Sequence, residues 1–299
     1  MVTGATGPLG SAVVDSLLKK TASAGVVALV RDPQKATGLT AKGVEVRAGD
    51  YGDAAALALA FRGIDTLYFV SGNDIAHRMT QHENVVRAAR EAGVRQVVYT
   101  SFQRRDETDA SPIAFVAQSH LGTERLLKTS GLIYTILQHG IYTDMIPVFA
   151  GPQLLETKTL YQPAGDGRTA FAVRTDLAEA GANVLIDTTG RYDNKILVLT
   201  GAEAVSYAEV AGIISGVTGL SIGYYSPSPE EFTETMTAAG VPAEIIGLVA
   251  GFATAMKIGE FDQATGDLEQ VLGRPPLTVA QFLRTAFGAA SREQSLAIH

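Results

Sequence analysis

The sequence predicts an α/β fold, a doubly wound parallel sheet joined to a smaller, mainly helical subdomain. Three observations lead to this prediction: a glycine-rich turn near the start of the chain, an alternation of apolar β-branched segments with amphipathic ones, and the loss of that alternation in the second half. Alternating strands and helices build parallel sheets through right-handed crossovers. With 299 residues, 46% of them hydrophobic, the chain can fill a sizeable core.

Hydrophobic periodicity predicts the elements of the first half in turn. Residues 8–20 are predicted as a helix, because Leu9, Val13 and Leu17 recur every four residues. The unbroken apolar run at residues 26–30 is typical of a strand buried on both faces. The same criteria then predict strand 44–48, helix 54–61, strand 65–70, helix 83–91, strand 96–100, helix 113–129 and strand 134–137.

Beyond Tyr142 the alternation breaks at several prolines and at the polar turn of residues 165–167. Asp176 is the predicted N-cap of the next helix. Later elements are predicted as strand 195–199 and helices 209–215, 230–239 and 243–256.

This break suggests a division of the chain. We predict a main domain over residues 1–142, whose sheet is rejoined by residues 171–200, and a substrate-binding cap over residues 143–299. The residues after Gly288 are predicted to form a loose tail.

The composition excludes several classes of protein. The chain has no cysteine, so disulfides, zinc thiolates and thiol nucleophiles are excluded and redox chemistry requires a bound cofactor. A net charge of −7 argues against a nucleic-acid surface. No run approaches the ~18 apolar residues of a membrane span, and no signal-peptide pattern is visible. We therefore expect a cytoplasmic protein without nucleic-acid or membrane partners.

The turn Gly4-Ala5-Thr6-Gly7-Pro8-Leu9-Gly10 predicts a dinucleotide site of the Rossmann type. The glycine spacing alone is a weak signal in a chain with 31 glycines, but here it lies between an apolar start and a helix. Glycine lets the backbone turn tightly and approach a pyrophosphate, which the helix amide groups then face. The alternative is a tight turn without a ligand.

Only three residues precede Gly4, fewer than the ~5 of a usual central strand. Two explanations are open: the chain starts downstream of its natural start, or the first strand is short.

The residues after the second strand favour NADPH over NADH. NADH-preferring sites place an acidic residue about 20 positions past the glycine turn. Here the strand ends at Arg31, with Asp32 only after it and Lys35 close by. A guanidinium offers a 2′-phosphate a planar fork of donors and a permanent charge. The alternative for Arg31 is a solvated strand end. No metal and no flavin are expected.

Several motifs in order resemble the NmrA-like atypical short-chain dehydrogenases. The motifs of the first half are Thr3-Gly-Ala-Thr-Gly-Pro-Leu-Gly10, Val30-Arg-Asp-Pro-Gln-Lys35, Gly49-Asp-Tyr51 and Val70-Ser-Gly72. Further segments are similar to type 2 NAD(P)H:quinone oxidoreductases and triphenylmethane reductases, namely Gln81-His-Glu-Asn-Val-Val86, Ser119-His-Leu-Gly-Thr-Glu124, Tyr134-Thr135 and Gly140-Ile-Tyr-Thr-Asp144. The resemblance runs from residue 2 to about residue 287 and is looser in the cap. It too implies a preference for NADPH.

The resemblance also implies roles for residues at the predicted sheet edge. It places Asp50 and Tyr51 against the adenine, and residues 138–142 beside the nicotinamide and the acceptor. Ser71, Gly72 and Asn73 follow a strand, at the edge where ligands of open α/β sheets bind. The complete predicted cofactor set is Thr3, Gly4, Thr6, Gly7, Pro8, Leu9, Gly10, Arg31, Lys35, Asp50, Tyr51, Ser71, Gly72, Asn73, Gln138, His139, Gly140 and Tyr142. For the later segments the alternative is an ordinary loop.

The acid of ordinary short-chain dehydrogenases is missing. Those enzymes carry Tyr-x-x-x-Lys on the helix after the fifth strand, where this chain has Val116-Ala-Gln-Ser-His120. Carbonyl reduction through that pair is therefore disfavoured, whereas a reduced quinone can take its proton from water. We predict His120 and Tyr142 as catalytic residues, although His120 could equally be structural. His82 is predicted to be structural.

The acceptor pocket is predicted from aromatic and apolar residues near the strand ends. Its members are Phe102, Tyr142, Met145, Phe149 and Arg174. The alternatives are simple core packing for the apolar residues and an ion pair with Asp176 for Arg174.

The predicted function is NADPH-dependent reduction of quinones or similar flat, electron-poor acceptors. The alternatives are a non-catalytic NADP(H)-binding redox sensor and a reductase of triphenylmethane-like dyes. A homo-oligomer is left open.

Overall fold

The computed structural model describes residues 1–296, the range 289–296 as backbone only. The strands are β1 (Val27–Val30), β2 (Glu45–Ala48), β3 (Thr66–Phe69), β4 (Gln96–Phe102), β5 (Ile133–His139), β6 (Thr159–Tyr161), β7 (Arg168–Thr169), β8 (Lys195–Leu199), β9 (Val205–Ser206) and β10 (Gly223–Tyr225).

The helices alternate with the strands in the first half and dominate the second. They are α1 (Pro8–Leu18), α2 (Thr37–Ala41), α3 (Ala54–Ala60), α4 (Arg78–Glu91), α5 (Ala114–Thr129), α6 (Met145–Ala150), α7 (Leu154–Thr157), α8 (Arg174–Ile186), α9 (Tyr207–Thr218), α10 (Pro229–Ala238), α11 (Ala243–Lys257), α12 (Asp267–Leu272) and α13 (Val279–Leu296). None of the helices within residues 1–296 is long and apolar enough to cross a bilayer.

The central sheet is parallel throughout and is completed by the first residues of the chain. β1 pairs with β2, and β3, β4, β5 and β8 pair in that order. Val2 joins the two groups, because it bridges Ala28 on one side and Tyr68 on the other. Its amide donates to the Val27 carbonyl at 2.8 Å, and the Thr3 amide donates to the Tyr68 carbonyl at 3.0 Å. Residues 1–3 thus take the central position where a longer strand is expected.

Helices cover both faces of this sheet, as a doubly wound fold requires. Ala28 and Val30 pack in an apolar cluster with residues of α1 and α8, whereas Val27 and Leu29 pack in a second cluster with residues of α3 and α4. Successive side chains of β1 therefore enter opposite cores. The predicted fold class is confirmed.

A third apolar cluster is formed mainly by the second half of the chain. It includes Ile146, Phe171, Val210, Phe261 and Leu283. Two short strand pairs, β6 with β10 and β7 with β9, flank it. This cluster is the core of the predicted cap; the division of the chain at residue 142 stays a prediction.

Several local predictions are wrong. Asp176 is not an N-cap: α8 begins at Arg174, its N-cap position is Val173, and Asp176 lies 1% exposed inside the first turn. α4 begins at Arg78, five residues earlier than predicted, and none of α2, α6, α7, α12 and α13 is predicted from the sequence. The chain beyond Gly288 continues as helix α13 to Leu296, so a loose tail there is wrong as well. Residues 297–299 lie outside the described residues.

Candidate dinucleotide and acceptor site

The glycine turn combines a left-handed residue with a close helix approach. Gly4 has φ +57°, a conformation that side chains with a Cβ rarely adopt. A Cβ on Gly10 would lie 2.3 Å from the Gly4 carbonyl oxygen, so only glycine lets α1 pack on the turn. Gly7 is the N-cap of α1 and Pro8 its first residue, with no side chain capping the helix. The positive end of α1 is therefore open to an anion.

Thr3 and Tyr51 hold this turn to the end of β3. The Thr3 hydroxyl accepts a hydrogen bond from the Val70 amide at 3.0 Å and also pairs with the Tyr51 hydroxyl. Tyr51 donates to the Val70 carbonyl at 2.8 Å, and burial is the main reason that its pKa is raised. The neighbouring Asp50 carboxylate accepts from the Gly52 amide at 2.7 Å. Contacts of Asp50 and Tyr51 with an adenine stay a prediction.

Two exposed cations follow β1. Arg31 and Lys35 are exposed, and neither forms an ion pair with any residue in the range 1–288. The Asp32 carboxylate accepts from the Gln34 amide at 3.0 Å, which caps the short turn Pro33–Ala36. The acidic group nearest the expected ribose is therefore bound to its own backbone, while two cations remain unpaired.

The turn after β3 is held from three sides. The Ser71 amide donates to the Thr100 hydroxyl at 2.9 Å. The Gly72 amide donates to Nε2 of His82 at 3.0 Å, and the Gly72 carbonyl accepts from Nε of Arg78 at 2.7 Å. Asn73, which follows, is exposed. The sequence predicts only packing for His82 and no role for Arg78; their contacts show that both shape this turn.

His82 is a neutral buried acceptor with one tautomer favoured by its partners. Its Nε2 accepts from the Gly72 amide, so its proton lies on Nδ1, which is 2.8 Å from the Thr123 hydroxyl. Thr123 in turn donates to the Ser119 carbonyl at 2.7 Å. Burial, and then the Arg78 charge, lower the pKa of His82 to about 3. The imidazole is therefore uncharged at neutral pH.

His120 lies next to this arrangement, on α5. Nδ1 is 2.8 Å from the Tyr99 hydroxyl, and Nε2 is 3.4 Å from Nη1 of Arg78. The ring stacks beside Phe102, with centroids 6.1 Å apart and planes at 29°. Burial above all, and then the Arg78 charge, hold the pKa of His120 well below its ordinary value. Both nitrogens face protein groups; its predicted catalytic role stays a prediction.

Tyr142 and Arg174 form a second polar group after β5. The Arg174 guanidinium lies 5.0 Å above the Tyr142 ring and 3.3 Å from the Asp144 carboxylate. The alternative ion pair of Arg174 with Asp176 is wrong, because Asp176 binds Arg274 instead. Burial raises the pKa of Tyr142 to about 12, an effect that Arg174 opposes.

The end of β5 is bound tightly into the protein. The Tyr142 hydroxyl lies 3.2 Å from Nδ1 of His139, whose pKa burial lowers to about 3. Nε2 of His139 is buried and has no hydrogen-bond partner among the described residues. Gln138 donates to Glu124 at 3.2 Å, and the Gly140 amide donates to the Leu199 carbonyl at 2.9 Å. These contacts fix the backbone that the resemblance assigns to the nicotinamide.

An aromatic group surrounds Phe102 at the junction with the cap. Phe252 of α11 and Phe261 lie 5.9 Å and 5.6 Å from Phe102, and Phe115 lies 6.3 Å from Phe252. Phe149 packs against the same apolar cluster as Phe102, whereas Met145 belongs to none of the clusters of described residues. Phe252 and Phe261 are not among the residues predicted from the sequence, because no local pattern shows that they meet Phe102 of β4.

Two cavities lie outside these groups. One of 490 Å³ is lined by Asp166, Gly167, Arg168, Lys257, Ile258, Gly259 and Asp262. One of 410 Å³ is lined by Ala12, Asp15, Ser16, Lys19, Lys20, Thr175, Asp176, Glu179, Arg274 and Leu277. Neither cavity is lined by a residue of the glycine turn or by an aromatic residue. The candidate site is therefore defined by the residue groups described above and not by the volume of a cavity.

The comparisons with known proteins identify the family of the chain. A family model described as the NmrA-like family matches residues 1–283. Quinone oxidoreductase 2 of Escherichia coli (strain K12) is 35% identical over 287 residues, which cover 96% of this chain and 98% of that protein.

Two solved structures match almost the whole chain. The NADPH complex of an NADPH-dependent quinone oxidoreductase from Escherichia coli has a TM-score of 0.89 and 34% identity, covering 96% of this chain and 99% of that one. The NADP(H) complex of Citrobacter sp. triphenylmethane reductase has a TM-score of 0.87 and 34% identity, covering 95% and 99%. The resemblance drawn from the motifs is confirmed. With its sheet, its glycine turn and residues 1–283 all matched, the chain belongs to the NmrA-like family.

Proposed function

We propose that the protein is an NADPH-dependent oxidoreductase that reduces quinones or similar flat, electron-poor acceptors. The observation that carries the proposal is the cation pair at the end of β1. Arg31 and Lys35 are exposed and unpaired within the described residues, while the Asp32 carboxylate is occupied by the Gln34 amide. A 2′-phosphate needs cations at this place and is repelled by a free carboxylate.

The residues present fit a dinucleotide along its whole length. Gly4 and Gly10 bring backbone close to the uncapped start of α1, where a pyrophosphate is stabilised by amide groups and by the helix dipole. Gly72 lies at the carboxyl edge of the sheet, with its amide and carbonyl held by His82 and Arg78. Together with the names of the relatives, which include NADPH-bound structures, this supports NADPH as the cofactor.

A bound reduced nicotinamide supplies a hydride, and the chain's own residues prepare the place for its acceptor. His82 and Arg78 hold Gly72, which orients the turn beside the reacting ring. Phe102 and Phe252 offer aromatic edges and faces against which a flat acceptor can pack. Placing the acceptor against the ring raises the rate by positioning it, without new bonds to the protein.

The proton balance favours acceptors that need no enzymic acid. The helix position that carries the tyrosine of ordinary short-chain dehydrogenases is Val116, and His120, four residues on, faces Tyr99 and Arg78. A reduced quinone is a weak base that takes its proton from water. A ketone reduced at the same place would produce a strongly basic alkoxide, so quinones are the better substrates.

Dinucleotide titration followed by an acceptor panel tests the proposal. Purified protein is titrated with NADPH and NADH by calorimetry, and NADPH oxidation is then followed with several simple quinones and one ketone. We expect tighter binding of NADPH and turnover with quinones only. Tight NADPH binding without turnover on any acceptor would instead favour the redox-sensor alternative.

A triphenylmethane dye belongs in the same panel. Its inclusion is motivated by the similarity to the Citrobacter sp. triphenylmethane reductase at 34% identity. Such a dye is an electron-poor aromatic cation that accepts a hydride at its central carbon and needs no proton afterwards. Faster turnover of the dye than of any quinone would replace the quinone proposal with dye reduction.

A further inference from the structure

Arg78 is a buried arginine at the carboxyl edge of the sheet, 6% exposed, whose charge has no role in the steps above. It is the first residue of α4 and reaches across to α5. Its Nε donates to the Gly72 carbonyl at 2.7 Å. Its Nη1 lies 3.3 Å from the Ser119 hydroxyl and 3.4 Å from Nε2 of His120. All of these partners are neutral.

No carboxylate among the described residues forms an ion pair with Arg78, in contrast with two other partly or fully buried arginines near the site. Arg104 binds Glu124 at 2.9 Å, and Arg174 binds Asp144 at 3.3 Å. Nη2 of Arg78 makes no hydrogen bond with a described residue. Burying a charge without a directly paired counter-charge is unfavourable. Desolvation accordingly lowers the pKa of Arg78, an effect that Tyr99 and the more distant Asp74 carboxylate partly oppose.

The start of α4 adds to this positive potential. The helix has no acidic residue in its first turn and no side-chain cap. The nearest carboxylate before it, Asp74, is half exposed and binds the backbone amide and the imidazole of His77. Arg78 is the first residue of the helix, so the positive end of the helix dipole lies beside its side chain. A cation at this end of a helix is unfavourable in the free protein. A negative charge that forms nearby reduces both the desolvation cost of the guanidinium and its repulsion by the helix dipole. Unfavourable local arrangements of this kind are typical of functional sites.

The acceptor region adjoins this positive charge. His120 contacts Arg78 through Nε2 and stacks beside Phe102 at 6.1 Å. Phe102 carries the aromatic group proposed to pack against a flat acceptor. The guanidinium is therefore separated from the acceptor region by one imidazole ring, which is uncharged and does not cancel its field.

We propose that Arg78 stabilises the negative charge that a neutral quinone acquires when it accepts a hydride, and that it thereby favours neutral acceptors over cationic ones. The proposal rests on the proposed function. In that step a C–H bond of the dihydronicotinamide breaks, its electron pair and hydrogen form a new bond on the quinone, and the dinucleotide is left oxidised. The quinone becomes a hydroquinone monoanion, which then takes a proton from water. A triphenylmethane cation becomes a neutral compound instead and gains nothing from a nearby positive charge.

Arg78 thus has two roles. It positions Gly72 through a hydrogen bond, and its charge stabilises the reduced acceptor, which a structural role alone does not do. Arg78→Met removes the charge at similar length, whereas Arg78→Lys keeps it. Arg95→Met is the matched control, because Arg95 lies immediately before β4, on the opposite edge of the sheet, and is half exposed beside Asp65. Arg78→Gln replaces the methionine variant if that one does not fold.

The first measurement is the ratio of kcat/KM for menadione, a neutral quinone, to kcat/KM for malachite green, a cationic dye. A unit charge acting through protein at an effective dielectric of about 20 changes such a ratio by about tenfold. We expect Arg78→Met to lower the ratio by that factor, and Arg78→Lys and Arg95→Met to leave it near the wild-type value. A ratio unchanged in Arg78→Met, or lowered equally in Arg78→Lys, overturns the proposal.

The second measurement requires no turnover, so it separates this proposal from the proposed function. Binding of 2-hydroxy-1,4-naphthoquinone, an anion at neutral pH, and of menadione is measured by calorimetry with saturating oxidised NADP. We expect Arg78→Met to weaken binding of the anion by about tenfold and to leave the affinity for menadione unchanged. The proposal is overturned if Arg78→Met weakens the binding of both ligands equally, or if it weakens only the binding of NADP. It is also overturned if the wild-type protein binds the anion no more tightly than the variant does.

Discussion

The space around each glycine determines whether a larger residue can replace it. Gly10 is required because the Gly4 carbonyl oxygen occupies the position of its missing Cβ, at 2.3 Å. Gly38, by contrast, lies in helix α2, where a Cβ added to it would have no heavy atom within 4 Å. An added methyl group would therefore clash at Gly10 but not at Gly38. The sequence alone does not distinguish these two positions.

Gly10→Ala is expected to destabilise the protein and to weaken dinucleotide binding. The added methyl group displaces the turn from α1, at a cost of about 1–3 kcal/mol in the free energy of unfolding. Urea unfolding and NADPH titration measure the two effects. Gly38→Ala is the control and is expected to leave both unchanged or to stabilise slightly. Normal NADPH affinity in Gly10→Ala would show that the close approach is unnecessary.

Arg31→Glu is expected to weaken the binding of NADPH about a hundredfold and the binding of NADH far less. The change removes a charge-assisted hydrogen bond, of about 1.5–3 kcal/mol, from a group that only NADPH carries, and adds repulsion. Calorimetric titration with each dinucleotide measures the difference. Arg62→Glu, an exposed change just after α3, is the control. Equal losses for both dinucleotides would contradict the 2′-phosphate role.

At the scale of elements, Asp176 connects α8 to the C-terminal part of the chain. Its carboxylate accepts from Arg274 at 2.8 Å and from the Leu277 amide at 2.6 Å, although it is 1% exposed. The N-cap prediction is wrong because Arg274 is 98 residues away in sequence and supplies a stronger partner than a free helix end. Long-range pairing therefore outweighs local helix preference here.

Asp176→Asn is expected to lower the free energy of unfolding by about 2 kcal/mol. The ion pair between buried Asp176 and partly exposed Arg274 loses its negative charge, and the acceptor of the Leu277 amide becomes a weaker one. Thermal and urea unfolding measure the loss. Asp15→Asn breaks an ion pair with Lys42 that is half exposed, and is expected to cost less than about 1 kcal/mol. Similar losses in both variants would be evidence against a special role for Asp176.

Helix α11 contributes to the acceptor side through Phe252. Phe252→Ala is expected to raise KM for menadione about three- to tenfold, because one aromatic contact near Phe102 is lost. NADPH affinity should not change, since no residue of the glycine turn contacts this ring group. Ile245→Ala, 48% exposed on the same helix, is the control. A parallel loss of NADPH affinity would point to a general disturbance of the cap.

For the whole molecule, buried neutral histidines make stability depend on pH. Burial lowers the pKa of His82 and of His139 from 6.5 to about 3, and it lowers that of His120 well below its ordinary value. As the pH falls below 6.5, the unfolded chain takes up protons on these imidazoles and the folded protein does not. The folded state is therefore disfavoured progressively between pH 6.5 and about 3.

Each of these histidines is expected to contribute a slope of about 1.4 kcal/mol per pH unit, with stability falling as the pH falls. Urea unfolding at pH 7.0, 6.0 and 5.2 measures the sum before most carboxylates titrate. His82→Asn should reduce the slope by one histidine's share. Constant stability over this range would show that the imidazoles are protonated in the folded protein.

Much of the fold and part of the site could be predicted from the sequence. Hydrophobic periodicity predicts which segments become strands of the central sheet, because it records which side chains are removed from water. The spacing of Gly4, Gly7 and Gly10 before a helix predicts the anion-binding turn, and Arg31 predicts the preference for a 2′-phosphate. These features are local in the chain, so a single sequence suffices to find them.

The tertiary structure decided which distant groups meet. Residues 1–3 take the central position of the sheet only because β1 and β3 lie on either side of Val2. His82 meets Thr123 across 41 residues, Asp176 meets Arg274 across 98, and Phe252 reaches Phe102 from the cap. Sequence patterns record whether a side chain is buried but not its partner, because partners are chosen by packing. That Arg78 has no ion-pair partner among the described residues becomes visible only when its neighbours on α4 and α5 are known.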